Sequence, residues 1–226
     1  MKQIIKNQEP KSLLEHRLQP FADYGNYPQK EELRDSLLTE QGHICCYCMQ
    51  RIKQDKMKIE HWRSQDEYPD FQLDYNNLLG ACEGGQGSPK HLQHCDTKKG
   101  NEKLTINPTD NLKNCEDLIK YLPNGIIYSE DTAIDNELNE VLNLNMQTLV
   151  NNRKVVLDIF IQQLKSEQPY GDWTVAMLNR KIQEWSNKQK DEKYKPYCQI
   201  AIYYLKINYQ SSNENKYYRI VLRFYK

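Results

Sequence analysis

Apolar positions along this chain alternate between helical spacing and no regular spacing. In residues 28–42, Leu33, Leu37 and Leu38 lie on one helical face, Pro28 suits a first turn and acidic residues follow it. A helix is predicted there, with Gly42 available to end it. Residues 43–108 lose this periodicity. They carry a glycine-rich loop, Glu83-Gly84-Gly85-Gln86-Gly87-Ser88-Pro89, and close on the turn signal Asn107-Pro108-Thr109-Asp110. Helical spacing returns over 137–165 through Leu138, Val141, Leu142, Leu149, Val155, Val156, Ile159, Phe160 and Leu164. That stretch reads as one long helix, or as two broken around Asn143–Asn145. Asp172 is expected to cap a further helix with the stripe Met177, Leu178, Ile182 and Trp185. Pro196 is expected to start a last one through Cys198, Ile200, Ile202, Tyr203, Leu205 and Ile207. Residues Tyr217 to Tyr225 have strand-like composition. The pattern predicts an N-terminal helical segment at 1–42, an irregular core at 43–108 and a mainly helical region at 109–226.

Composition explains why the core segment needs help to fold. The chain of 226 residues is 38% hydrophobic, with a mean hydropathy of −0.90. Sixteen tyrosines partly compensate, because each buries a ring and still keeps a hydroxyl for a polar partner. No apolar run reaches the ~20 residues of a membrane span, and the first residues lack the apolar core of a secretory leader. A cytoplasmic protein without a membrane partner is expected, in which seven cysteines serve as metal ligands or buried thiols rather than disulfides.

The formal net charge of zero hides segregation. Lys and Arg number 9 against 9 acidic residues in 43–108, 2 against 8 in 109–150, and 14 against 7 in 151–226. An acidic stretch thus precedes one that is basic after about residue 150. The basic part suits either a polyanion or the acidic stretch beside it. Tyr194 and Tyr197, beside Lys193 and Lys195, are the aromatic residues with the best sequence context for base stacking.

Candidate chemistry concentrates in 43–108. Cys45 and Cys48 have the spacing that brings two thiolates to one tetrahedral ion, and Cys82 and Cys95 can complete a four-thiolate structural Zn²⁺ site. His91 or His94 is an alternative to Cys82, and Cys46 competes with Cys45. Glu60-His61 pairs a hard oxygen ligand with an imidazole. In extended backbone the two side chains point to opposite faces, so one can hold a cation while the other takes a proton from water. Asp96 offers a second carboxylate, a donor set suited to Mg²⁺ or Mn²⁺. Lys98 and Lys99 are expected to hold phosphate oxygens.

The order Glu60-His61, Asn76-Asn77-Leu78-Leu79, then Cys95-Asp96 resembles the HNH endonucleases, the ββα-metal nucleases. Asp96 stands where that family's name has His or Asn. The resemblance implies an α+β fold, with a small zinc-stabilised ββα-metal core embedded in a mainly helical chain. It also implies His61 as general base, Glu60 and Asp96 as ligands of the catalytic metal, Lys99 as a catalytic lysine, and Asn77 (or Asn76) as brace of the histidine loop. Together with Leu142-Asn143-Leu144-Asn145 and Lys195-Pro196-Tyr197-Cys198, the motifs look like HNH subunits of Septu-type and retron-associated anti-phage systems. Those subunits work with an ABC/SMC-type ATPase, and in retrons with a reverse transcriptase and its RNA/DNA. Hydrolysis of nucleic acid follows as the expected function, with DNA favoured and structured RNA such as tRNA possible. A non-catalytic zinc-ribbon binding module is the alternative.

Overall fold

In a computed structural model, residues 1–170 and 173–213 are described, with side chains through Tyr209. Among the described residues the chain is α+β, mostly helical, with two small antiparallel sheets. The N-terminal part forms α1 (Lys11–Arg17) and α2 (Lys30–Glu40). Leu33, Leu37 and Leu38 are the buried face of α2, and Gly42 follows its end at φ +56°, a conformation that favours glycine.

The segment without periodicity contains regular structure in short pieces. Strands β1 (Lys58–His61) and β2 (Leu78–Ala81) pair antiparallel with Glu60 opposite Leu79 and His61 opposite Leu78, and helix α3 (Cys95–Lys99) follows. Four-residue strands and a five-residue helix are too short to show a period in sequence. A lone two-stranded pair is also marginal in water, so its stability comes from surroundings. Gln41 supplies part of it. Its amide donates to Gly80 O (2.8 Å) and Ile44 O (2.9 Å), and its carbonyl accepts from Gly80 N (2.6 Å). The buried Glu40 ties Lys6, Asn7 N and Tyr75 together at 2.7–3.1 Å, fastening the first residues and α2 to the start of β2.

Beyond the core come α4 (Cys115–Leu118), the two-residue strands β3 (Lys120–Tyr121) and β4 (Ile127–Tyr128), and α5 (Thr132–Asn136). A π-helical turn, Glu137–Val141, continues α5, and α6 (Gln147–Glu167) begins after a break. Of the two readings of 137–165, two helices form. Asn145 makes the break: its amide donates to Ile127 O and Asn139 Oδ1, and its carbonyl accepts from Ile127 N, at 2.7–3.0 Å. Helix α7 (Val175–Ser186) is capped by Thr174, whose hydroxyl accepts from Met177 N; Asp172 lies outside the described residues. Helix α8 (Cys198–Asn213) packs on α6 and α7, with Phe160 edge-on to Trp185 at 4.9 Å. The strand expected at 217–225 also lies outside the described residues.

The helical region grips the core by backbone contacts. Glu137 is buried and accepts from Thr105 N, Thr105 Oγ1 and Ile106 N at 2.7–3.1 Å, and Cys95 N donates to Leu142 O at 2.9 Å. Tyr197 N donates to Met49 O, and Arg51 reaches Tyr194 O. Tyr197 is therefore buried against the cysteine knuckle, and Tyr194 is half-buried beneath Lys2; neither presents a free stacking face. Much of the basic C-terminal charge is also spent internally. Arg153 is 1% exposed and bonds Gly125 O and Leu144 O, while Lys154, Arg180, Lys181, Lys193 and Lys195 pair with nearby acids. No helix among the described residues is long and apolar enough to cross a membrane.

Candidate active site and metal centre

Cys45, Cys48, Cys82 and Cys95 converge in a buried cluster, their sulfur atoms all within 4.8 Å of one another. Two edges measure 3.8 Å (Cys45–Cys95) and 3.9 Å (Cys48–Cys82). A tetrahedron with Zn–S bonds of ~2.3 Å has edges of about 3.8 Å, so the donor set fits zinc. The long Cys82–Cys95 interval is spanned by a loop closed by Gly84, whose carbonyl accepts from His94 N. Its φ of +56° and the 2.2 Å from a built Cβ to His94 O leave no room for another residue. His94 is buried beside the cluster, its Nδ1 3.2 Å from Cys95 Sγ and 3.9 Å from Cys82 Sγ, and flanks the four thiols rather than replacing one. His91 is exposed. Cys46, Cys115 and Cys198 are buried outside the group.

The knuckle touches the second site through Tyr47. Its hydroxyl donates to Glu60 Oε1 (2.7 Å), and the Lys99 ammonium pairs with the same oxygen at 2.9 Å. On β1, Lys58 and Glu60 are two residues apart and share a face; on α3, Asp96 and Lys99 are three apart and share a face. Lys58 pairs with Asp96 and Glu60 with Lys99, two rungs of opposite polarity joining strand to helix. The Glu60 and Asp96 carboxyls are near enough to perturb each other's protonation. Burial, then Asp96, pushes the Glu60 carboxyl well above the usual carboxylate range, against Lys99 and Tyr47. Burial raises Asp96 as well, but Glu60 and Lys58 outweigh it and hold Asp96 below its ordinary value. Two neighbouring hard carboxyls, with Tyr47 and Lys99 both on a single Glu60 oxygen, are a donor set that could hold a divalent cation. Lys99 is 2% exposed and also reaches His61 O (3.2 Å); it is a strut under Glu60, directed inward.

His61 faces away from this pair. Its Nε2 lies 3.0 Å from Gln72 O, and because a carbonyl only accepts, Nε2 carries the hydrogen and Nδ1 keeps its lone pair. The Tyr24 ring meets the imidazole edge-on at 4.5 Å. Burial lowers the His61 pKa to about 4, so the ring is neutral at pH 7. The carbonyl that fixes it belongs to a loop held by Asn77. Asn77 Oδ1 accepts from Arg63 N (2.7 Å), and its amide donates to Arg63 O and Phe71 O (both 3.0 Å). Asn77 is 4% exposed, whereas Asn76 is exposed and bonds Asp74. Sequence reasoning missed Tyr24, Tyr47, Lys58 and Gln72. The two-residue strand period was a signal for Lys58; a backbone carbonyl such as that of Gln72 leaves none.

An acid–histidine strand, a buried asparagine bracing the following loop and a helix bearing a second acid are the features on which the sequence resembles HNH-type nucleases. No family profile matches the chain. Two curated proteins are similar to it. One, from Vibrio cholerae serotype O1 biovar El Tor, is named as an HNH endonuclease of retron Vc95; it is 27% identical over 163 residues, 66% of this chain and 75% of that protein. The other is the Septu protein PtuB of Bacillus thuringiensis, 29% identical over 135 residues, 56% of this chain and 47% of PtuB. The match to PtuB thus spans about half of that protein's length. In sequence this chain resembles HNH nucleases of the PtuB-like kind.

Proposed function

We propose that this protein is a metal-dependent HNH endonuclease that hydrolyses phosphodiester bonds, built on a ββα-metal core of β1, β2 and α3. The observation that carries this reading is the His61 tautomer. With Nε2–H committed to Gln72 O, Nδ1 is an unprotonated acceptor at neutral pH, on the same strand as Glu60. In the reaction His61 Nδ1 takes the proton of the attacking water, Gln72 O stabilises the imidazolium that results, and Tyr47 and Lys99 hold Glu60 in place. Glu60 and Asp96 would hold the Mg²⁺ or Mn²⁺, which supplies charge stabilisation at the phosphate. Zn²⁺ at Cys45, Cys48, Cys82 and Cys95 is structural.

The two relatives support a role in anti-phage defence, as the effector subunit of a Septu- or retron-type system. Control by an ATPase partner, and association with a reverse transcriptase and its RNA/DNA, belong to the same reading. The equal charges of residues 43–108 give the core little non-specific affinity for a polyanion, so a partner that delivers substrate keeps it quiet until recruited. DNA is the favoured substrate and structured RNA the second. The test is cleavage of DNA and RNA with Mg²⁺ or Mn²⁺, alone and with the co-purified partner. His61→Ala is expected to abolish cleavage with zinc content intact. Cleavage retained in that variant rejects the assignment, and its absence in the wild type under every condition favours a zinc-ribbon binding module.

A further inference from the structure

We infer that the loop after His61 carries a binding platform for one unpaired nucleotide, built from Arg63, Tyr68 and Phe71; this rests on the nuclease reading and names its substrate class. The Arg63 guanidinium is centred 4.4 Å from the Phe71 ring, 5.7 Å from Tyr68 and 5.8 Å from Trp62. Arg63 is exposed, and among the described residues its side chain has no ion pair or hydrogen bond. The exposed Arg63 side chain thus sits among three aromatic rings. Lys103 Nζ lies 5.5 Å from the Tyr68 ring and adds a second cation. The platform is built rather than incidental, because Asn77 grips Arg63 N, Arg63 O and Phe71 O. The next carbonyl after Phe71, that of Gln72, orients His61. The platform and the carbonyl that orients the general base thus sit on consecutive residues of one loop.

Charge and stacking together select an unpaired nucleotide. Duplex affinity grows with the number of phosphates neutralised, and residues 43–108 are electrically balanced. Exposed Asp66, Glu67 and Asp70 on the same loop oppose a long phosphate track, with Glu67 paired to Lys103 and Asp66 to Asn101. Stacking on an aromatic ring or guanidinium plane needs no net charge, and it is open only to a base whose face is not already stacked in a duplex.

The experiment measures fluorescence anisotropy of the full zinc-loaded chain in a His61→Ala background, so that turnover plays no part. The probes are a labelled single strand of mixed sequence and the same strand annealed to its complement, in DNA and in RNA arms, at about 50 mM salt. The single strand is expected to bind at least about fivefold tighter than its duplex, and Arg63→Ala or Tyr68→Ala to weaken it about five- to tenfold with duplex binding unchanged. Arg63→Lys is expected to behave like Arg63→Ala, because an ammonium keeps the charge but offers no plane. The arm with tighter binding identifies the nucleic acid. Equal or tighter duplex binding, no binding in either arm, variants with wild-type affinity, or rescue by Arg63→Lys would each overturn the inference. Urea midpoints and zinc content verify that the variants are folded. Because the readout is binding, a single-strand preference in a wild type that cleaves nothing with Mg²⁺ or Mn²⁺, alone and with the co-purified partner, refutes the nuclease reading and leaves the platform standing.

Discussion

Replacing Asn77 tests the link between the loop and His61 most directly. Its side chain makes three hydrogen bonds of 2.7–3.0 Å to the backbone of Arg63 and Phe71, and the residue is 4% exposed. Each such bond contributes about 1 kcal/mol net, so Asn77→Ala is expected to lower stability by about 3 kcal/mol. Asn77→Asp is informative because its sign differs from a simple loss of contacts. It keeps the acceptor for Arg63 N but turns a carboxylate oxygen toward two carbonyls that need a donor. It should therefore cost more than alanine, although it is closer to Asn in shape. Asn76→Ala, which loses one exposed 3.2 Å contact to Asp74, is expected to stay within about 0.5 kcal/mol of wild type. Urea unfolding of the zinc-loaded protein, followed by tryptophan fluorescence, measures all three. In parallel, cleavage by Asn77→Ala is expected to fall at least about tenfold, because Gln72 O no longer sits rigidly under His61 Nε2. A wild-type urea midpoint for Asn77→Ala, or an aspartate variant more stable than the alanine variant, would refute the reasoning.

Three further outcomes follow from the same geometry. Cys48→Ser is expected to lose zinc and soluble protein, since the short strands β1 and β2 depend on the cluster; a folded, metal-free variant by elemental analysis would contradict the structural site. His61 has a folded pKa depressed to about 4 by burial, against ~6.5 unfolded, so the unfolded chain binds the extra proton first. The His61 contribution is then fully present above pH 6.5 and lost as pH falls toward 4, roughly 3 kcal/mol in all, and His61→Gln should flatten that part of the urea-midpoint profile. Lys99→Ala strands the buried Glu60 and is expected to cost about 3 kcal/mol, with Lys99→Met losing less because its stem still fills the site; equal midpoints for wild type and Lys99→Ala would remove the strut from the account.

The chemistry of the core was legible in sequence because its signals are local. Thiolate spacing at Cys45 and Cys48 and the adjacency of Glu60 to His61 are properties of a few consecutive residues, and α2, α6 and α7 announced themselves by apolar spacing. The strands and α3 were hidden by their brevity, and their pairing rests on Gln41, Glu40 and Glu137, which are distant in sequence. Lys99 shows the limit most clearly. In sequence it is a lysine beside another lysine, fit for phosphate; in the fold it is buried under Glu60, while Lys98 is half-buried. Likewise the basic count after residue 150 left a polyanion surface and internal pairing equally open, and in the fold Arg153 is a buried tie while Lys154 and Arg180 pair with acids.

The sequence by itself determined which donor atoms this protein carries and their order along the chain. Only the tertiary structure decided how they are aimed. The Gln72 carbonyl that sets the His61 tautomer, the Asn77 contacts that hold it and the rings under Arg63 all arise where a loop folds back on β1. Backbone carbonyls have no residue identity to read, and burial is a property of packed neighbours, so neither could be inferred from the order of side chains.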